Sequence, residues 1–286
     1  MRPKQWTKNL LFVFPAIFFD GKIFQIEPFT RVFLAFIALC MVSGTVYIIN
    51  DLVDIESDRL HPRKRKRPLP SGQLPVNVAI VAALIIPVVT LIASYLFSPS
   101  LALVLVVYLG IQLLYSFRLK HIVIIDVLTV TTGFVLRVIA GVVVIEVENF
   151  SPWLYIVTGL LAFFLVVAKR RQELILLGSD AGEVRPIFQK YNLPLLEEML
   201  RMVTTSTLIA YTLYTIEKSS DDSLRAQSLA LLTVPFVLYG LLHYLYLIYV
   251  KGETSPPDEV LLKDRPLQIT IVLFAVAHIV LLYTVG

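Results

Sequence analysis

The chain has 286 residues, 57% hydrophobic and 16% charged, and carries a net charge of +4. Soluble domains run at about 45–50% apolar and about 25% charged, so this composition excludes a soluble globular enzyme, a disordered chain and a disulfide scaffold. Nine spans of roughly 20 residues each would fit, with short loops between them. The expected fold is therefore an all-α polytopic membrane protein. Its excess positive charge suits cytoplasmic loops rather than a nucleic-acid partner. The single cysteine, Cys40, lies in an apolar run and reads as packing. His61, His121, His243 and His278 form no closely spaced pair for zinc or haem.

The apolar stretches cover residues 9–19, 32–50, 76–97, 101–115, 122–144, 153–168, 199–216, 230–250 and 269–285. With the N-terminus inside and strict alternation, 20 Lys and Arg residues fall on the cytoplasmic side and 4 on the other. This split predicts N-terminus in, C-terminus out, and the long charged loops in the cytoplasm. No soluble appendage, low-complexity tract or repeat is visible, so residues 1–286 read as one transmembrane domain.

In chain order, the first polar feature is Arg2-Pro3-Lys4-Gln5-Trp6-Thr7-Lys8-Asn9, dense in donors around one aromatic. The second span then runs into Asn50-Asp51-Leu52-Val53-Asp54-Ile55-Glu56-Ser57-Asp58. On a continuing helix, Asp51, Asp54 and Asp58 stand at i, i+3 and i+7 and share one face, with Asn50 one turn from Asp54. Three carboxylates on one stripe at a membrane edge repel and cost desolvation. A hard divalent cation removes that cost, and Mg²⁺ takes one or two carboxylates together with substrate phosphates. The stripe reads as a site for a Mg²⁺-bound diphosphate; a solvated helix end neutralised by the next basic run is the plainer alternative. That run, 61–68, contains Arg67, fixed beside Pro68 and suited to phosphate oxygens. Otherwise it serves as an anchor to anionic lipid.

After the fourth span come Tyr115, Arg118 and Lys120, and Asp126 opens the next helix. Asp126, Thr129, Gly133 and Arg137 follow one helical face. Arg137, about 16 Å deeper by helix rise, is expected to face the bundle interior and to pair with a carboxylate, cap a backbone carbonyl or meet a lipid phosphate, in a structural rather than a catalytic role. After the sixth span stand Lys169-Arg170-Arg171-Gln172-Glu173.

The run NDxxDxxxD followed by RxHPxKxxRPxxxG resembles the UbiA superfamily of intramembrane prenyltransferases. Four further segments, RPxQWxKN, YSxRLKxxxxxDV, KRRxEL and LLxDRPLQ, are similar to its decaprenyl-phosphate phosphoribosyltransferase branch. The resemblance implies a UbiA-like bundle of nine helices with a central cavity open to the cytoplasmic side. It also implies transfer of phosphoribose from 5-phosphoribosyl 1-diphosphate (PRPP) to a polyprenyl phosphate in the inner membrane. In actinobacteria that product leads to arabinose donors for the cell wall. Asp51, Asp54 and Asp58 would be the catalytic Mg²⁺ ligands. Asn50, Arg67, Tyr115 and the cations Lys8, Lys120, Lys169 and Arg170 would bind substrate. Asp54, Asp126 or Glu173 would stabilise positive charge on the ribose. The prenyltransferases of the superfamily carry a second aspartate-rich motif after the sixth span; here Lys169-Arg170-Arg171 stand in that place, which favours direct phosphate binding by cations. A prenyltransferase using a polyprenyl diphosphate donor is the alternative, and a transporter or flippase a more distant one. A homo-oligomer is compatible with the sequence but not derivable from it.

Overall fold

The computed structural model describes residues 6–60, 64–145, 151–184, 186–218, 230–255 and 257–284; the side chain of Lys8 lies outside the described residues. Its helices are α1 (Trp6–Val13), α2 (Pro15–Phe19), α3 (Ile26–Val53), α4 (Ile55–Leu60), α5 (Val76–Phe97), α6 (Pro99–Phe117) and α7 (Ile125–Val142). They continue with α8 (Pro152–Leu177), α9 (Ala181–Val184), α10 (Leu193–Lys218), α11 (Val234–Tyr249), α12 (Pro257–Lys263) and α13 (Arg265–Thr284). Local chemistry accounts for several boundaries. Proline opens α6 and α8, where its missing N–H costs nothing. Ser98 and Ser151 cap the same two helices by accepting from Leu101 N at 3.3 Å and Trp153 N at 3.2 Å. Gly178, at φ 53°, ends α8 in a conformation that disfavours other residues.

Among the described residues five helices, α3, α5, α6, α7 and α8, are long and apolar enough to cross a membrane, and 234–249 and 265–281 are shorter apolar helices. On α5 only 17% of the apolar window is buried, and Leu84, Ile85, Val88, Val89 and Ile92 all face outward. Such a helix is stable where lipid replaces water around it.

The helices cluster into two compact units. One comprises residues 1–119 and 136–147, the other residues 120–135 and 148–286. In the first unit α3 packs against α1, α5 and α6. Inside it Arg137 finds structural partners, but they are a side-chain amide and a phenol rather than a carboxylate, a backbone carbonyl or a lipid phosphate. The buried guanidinium donates through Nε to Asn9 Oδ1 (2.7 Å) and through Nη2 to Tyr108 Oη (2.8 Å), and lies 5.0 Å from the Tyr108 ring centroid. Asn9 Nδ2 donates onward to Ser43 Oγ (3.1 Å) and Cys40 Sγ (3.2 Å). Cys40 is thus both packing and part of a polar knot that joins α1, α3, α6 and α7. Gly141 lets α7 approach α1, because a Cβ there would overlap the Val13 carbonyl oxygen. In the second unit α8 lies along α10, around a core that includes Phe164, Val167, Leu196, Leu200 and Tyr244.

Two sequence expectations change. The helix carrying the carboxylate stripe does not run through it: α3 ends at Val53, Asp54 is its C-cap, and α4 restarts at Ile55. The backbone bridges the break with Asp54 N to Asn50 O (3.0 Å) and Asp58 N to Asp54 O (2.8 Å). Residues 169–173, expected in a loop, lie on α8, which extends to Leu177 because nothing between Ala168 and Gly178 breaks it.

Candidate active site

The first constellation belongs to the first unit. Arg67 Nη1 donates to Asp58 Oδ2 (2.7 Å) and to Asp51 Oδ1 (3.1 Å). The two aspartates come from helices on either side of the Asp54 break, and a charge-assisted bond to each holds them towards one nitrogen. Asp58 is buried, while Arg67 keeps 30% of its side chain exposed. Beneath them Ile48, Leu69 and Ala79 form a small apolar core. A cavity of about 250 Å³ opens beside the pair, lined by Tyr47, Asp51 and Arg67 on its polar side and by Ile48, Leu69 and Leu74 on its apolar side. Asp54 and Asn50 are half-buried at the break, and Asn50 lends its carbonyl to the Asp54 N–H. Half-buried Tyr115 is in the last turn of α6.

Among the described residues no three His, Cys, Asp or Glu side chains are gathered closely enough to hold a metal ion. Asp51 and Asp58 are paired instead with Arg67, the neutralisation by the next basic run that the sequence offered as the plainer alternative. Carboxylate oxygens are nonetheless hard ligands of the kind that suits Mg²⁺.

The second constellation belongs to the second unit and forms a chain of alternating charge. Asp126, buried in the first turn of α7, accepts from Tyr191 Oη (2.6 Å) on one oxygen and from Arg170 Nε (3.1 Å) on the other. Arg170 Nη1 donates to Glu173 Oε2 (3.1 Å), and Lys169 Nζ lies 3.9 Å from Glu173 Oε1. Exposure rises along the chain: the side chain of Arg170 is 5% exposed, Glu173 30% and Lys169 45%. Lys169 and Glu173 are the end of this chain that a solute reaches, while Asp126 and Arg170 brace it from within. Lys120 is half-buried in the short 3₁₀ turn that precedes α7. Arg171 turns the other way, towards Glu197 (3.1 Å) and over the Tyr249 ring (4.3 Å), tying α8 to α10 and α11.

Tyr191 was not a sequence candidate. It follows the 3₁₀ turn Pro186–Lys190, where no periodicity marks it. Besides donating to Asp126, its oxygen accepts from Ile124 N (2.8 Å). Burial, reinforced by the bond to Asp126, pushes its phenol well above the ordinary tyrosine value, so the hydroxyl keeps the proton it donates.

The sequence pattern of the UbiA prenyltransferase family matches residues 10–171, a stretch that contains the Asp51–Asp58–Arg67 group and the Asp126–Arg170 pair. A decaprenyl-phosphate phosphoribosyltransferase of Mycobacterium tuberculosis is 31% identical over 273 residues, 94% of this chain and 88% of that protein. The enzyme of the same name from Corynebacterium glutamicum is 32% identical over 272 residues, 94% of this chain and 81% of that one. A UbiA homolog from Archaeoglobus fulgidus, solved with DMAPP and Mg²⁺, superposes with a TM-score of 0.72 at 20% identity, covering 98% of this chain and 96% of that one. The helical architecture is therefore that of the UbiA fold, and with a family pattern running through both residue groups and relatives alike along nearly the whole length, the chain belongs to the UbiA prenyltransferase family.

Proposed function

We propose that this chain transfers the 5-phosphoribosyl group of PRPP to a polyprenyl phosphate and releases diphosphate. The observation that carries the reading is the exposed end of α8. A loosely held lysine and a carboxylate braced by a buried arginine stand where the resemblance would otherwise call for a second aspartate-rich motif. The likeness to decaprenyl-phosphate phosphoribosyltransferases along 94% of the chain supports it.

The chemistry follows from ionised reactants. A polyprenyl phosphate oxygen attacks C1 of the ribose. The C1–O bond to diphosphate breaks, and its electron pair leaves with the diphosphate. No proton moves, so no strong general base is required. Asp51, Asp54 and Asp58 would hold Mg²⁺, which when bound supplies positive charge to the leaving diphosphate. Arg67 donates to a diphosphate oxygen, and Asn50 and Tyr115 orient that group. Lys8, Lys120 and Lys169 bind the 5-phosphate and the acceptor phosphate. Arg170 acts through Glu173, holding its carboxylate where positive charge develops on the ribose, and Asp126 holds Arg170. The chain acts as a single domain of nine membrane passes, N-terminus inside, with its site open to the cytoplasm. The isoprenoid tail stays in the lipid phase.

A second reading, a prenyl diphosphate donor, is favoured by the A. fulgidus homolog structures, solved with DMAPP and with GPP. One assay separates the two. Purified protein in nanodiscs receives Mg²⁺, a polyprenyl phosphate and radiolabelled PRPP, and the label is followed into extracted lipid. Phosphoribosyl transfer predicts labelled lipid, lost with EDTA and with Asp54→Ala. No label with folded protein and several chain lengths, alongside turnover of a prenyl diphosphate, rejects it.

A further inference from the structure

Ile124 is the one non-glycine residue with positive φ, +69°, among the described residues. A β-branched side chain is strained there, and such strain persists only where neighbours hold it. Ile124 is also the last residue before α7 and two positions ahead of Asp126. The group that holds it is Tyr191, whose oxygen takes the Ile124 N–H at 2.8 Å while donating to Asp126 at 2.6 Å. One buried phenol therefore fixes the strained backbone at the mouth of α7 and the carboxylate in its first turn. From that carboxylate the contacts run outward through Arg170 to Glu173, with Lys169 beyond it.

We propose that Tyr191 is a positioning residue for the phosphoribosyl transfer: it sets the Ile124 corner and Asp126, and through them the orientation of the Glu173–Lys169 pair that meets PRPP. This rests on the function proposed above. Tyr191 touches no reacting atom. Its phenol stays protonated through the working pH range because burial and Asp126 both oppose ionisation, so one hydroxyl can donate and accept at once.

The test is Tyr191→Phe, which keeps the ring in the core and removes only the hydroxyl. Losing a hydrogen bond to a buried carboxylate is expected to raise KM for PRPP about tenfold, with a smaller fall in kcat. Adding Ile124→Gly relieves the strain, since glycine takes positive φ freely. The double variant should therefore recover about threefold of the lost kcat/KM, and the unrecovered part belongs to the Asp126 bond. A residue that merely packs would not be rescued by a change at 124. Hydrogen exchange across 122–128, which needs no substrate, should quicken in Tyr191→Phe and slow again in the double variant. A Tyr191→Phe enzyme with wild-type KM, or one whose defect Ile124→Gly leaves untouched, overturns the proposal. If the two variants show the expected exchange but the wild-type protein transfers no phosphoribose, the function falls and Tyr191 remains the holder of the corner.

Discussion

Removing Asn9 should harm the protein more than removing the buried charge that Asn9 serves. Arg137 lies on a helix long and apolar enough to cross a membrane and is 6% exposed. Asn9→Ala takes away the acceptor at 2.7 Å and leaves the guanidinium in place. Stranding part of a buried charge costs about 3 kcal/mol. Arg137→Met removes the charge itself. It forfeits two interhelical hydrogen bonds worth about 1 kcal/mol each in a membrane and a desolvated cation–π contact worth about 2 kcal/mol. Against this, a charge at membrane depth costs about 3 kcal/mol to hold, so the net loss is about 1 kcal/mol. With the charge gone, Asn9→Ala should cost only about 1 kcal/mol more, a coupling of about 2 kcal/mol between the two positions. Thermal unfolding in one fixed detergent reads this out: Asn9→Ala lowers the midpoint by about 6–12 °C, Arg137→Met by about 2–4 °C, and the double variant by less than the two together. Additive midpoints, or an Arg137→Met protein less stable than Asn9→Ala, would refute the reasoning.

Gly141→Ala places a methyl into the Val13 carbonyl oxygen; it should destabilise the protein by at least about 2 kcal/mol, and an unchanged midpoint would mean that α1 and α7 separate freely. Asp51→Asn should raise the Mg²⁺ concentration for half-maximal transfer at least about tenfold, whereas an unaltered Mg²⁺ titration excludes Asp51 as a ligand. Tyr191 gives a pH signature. Its folded-state value is raised, so its contribution to stability is intact below about pH 10 and is lost as pH climbs through the raised value. Wild type should therefore lose thermal stability above about pH 10 more steeply than Tyr191→Phe; parallel declines would show that the phenol is not held in its protonated form.

The parts of the fold and site legible in the sequence are those written in local spacing. Hydropathy marked the long apolar helices. The spacing anticipated Asp51, Asp54 and Asp58 on one face of a continuing helix; the helix breaks at Asp54, and two of the three, Asp51 and Asp58, meet at Arg67. The depth of Arg137 called for an interior partner. Its identity was not legible, since Asn9 lies 128 residues away and looks like one more donor in a polar start. The break at Asp54 escaped because no proline or glycine marks it. α8 was cut short because hydropathy falls at Lys169 although the backbone has no reason to stop before Gly178. The apolar stretch 199–216 sits on α10, which also carries Glu197, Glu198 and Arg201, and most of 230–250 sits on α11, only 16 residues long. Tyr191 had no local signal at all, because its meaning comes from Asp126 and Ile124, 65 and 67 residues earlier.

The unbroken run of α8 has a mechanical consequence. Its 26 residues make a rod of about 39 Å, longer than the roughly 30 Å hydrocarbon layer, and its last turns carry Lys169, Arg170 and Glu173 with no hinge between them and the lipid-embedded part. A spanning helix answers a change in bilayer thickness by tilting. On this geometry tilt would pass directly to the charged turns, so bilayers of different acyl-chain length should present those side chains at different heights and angles.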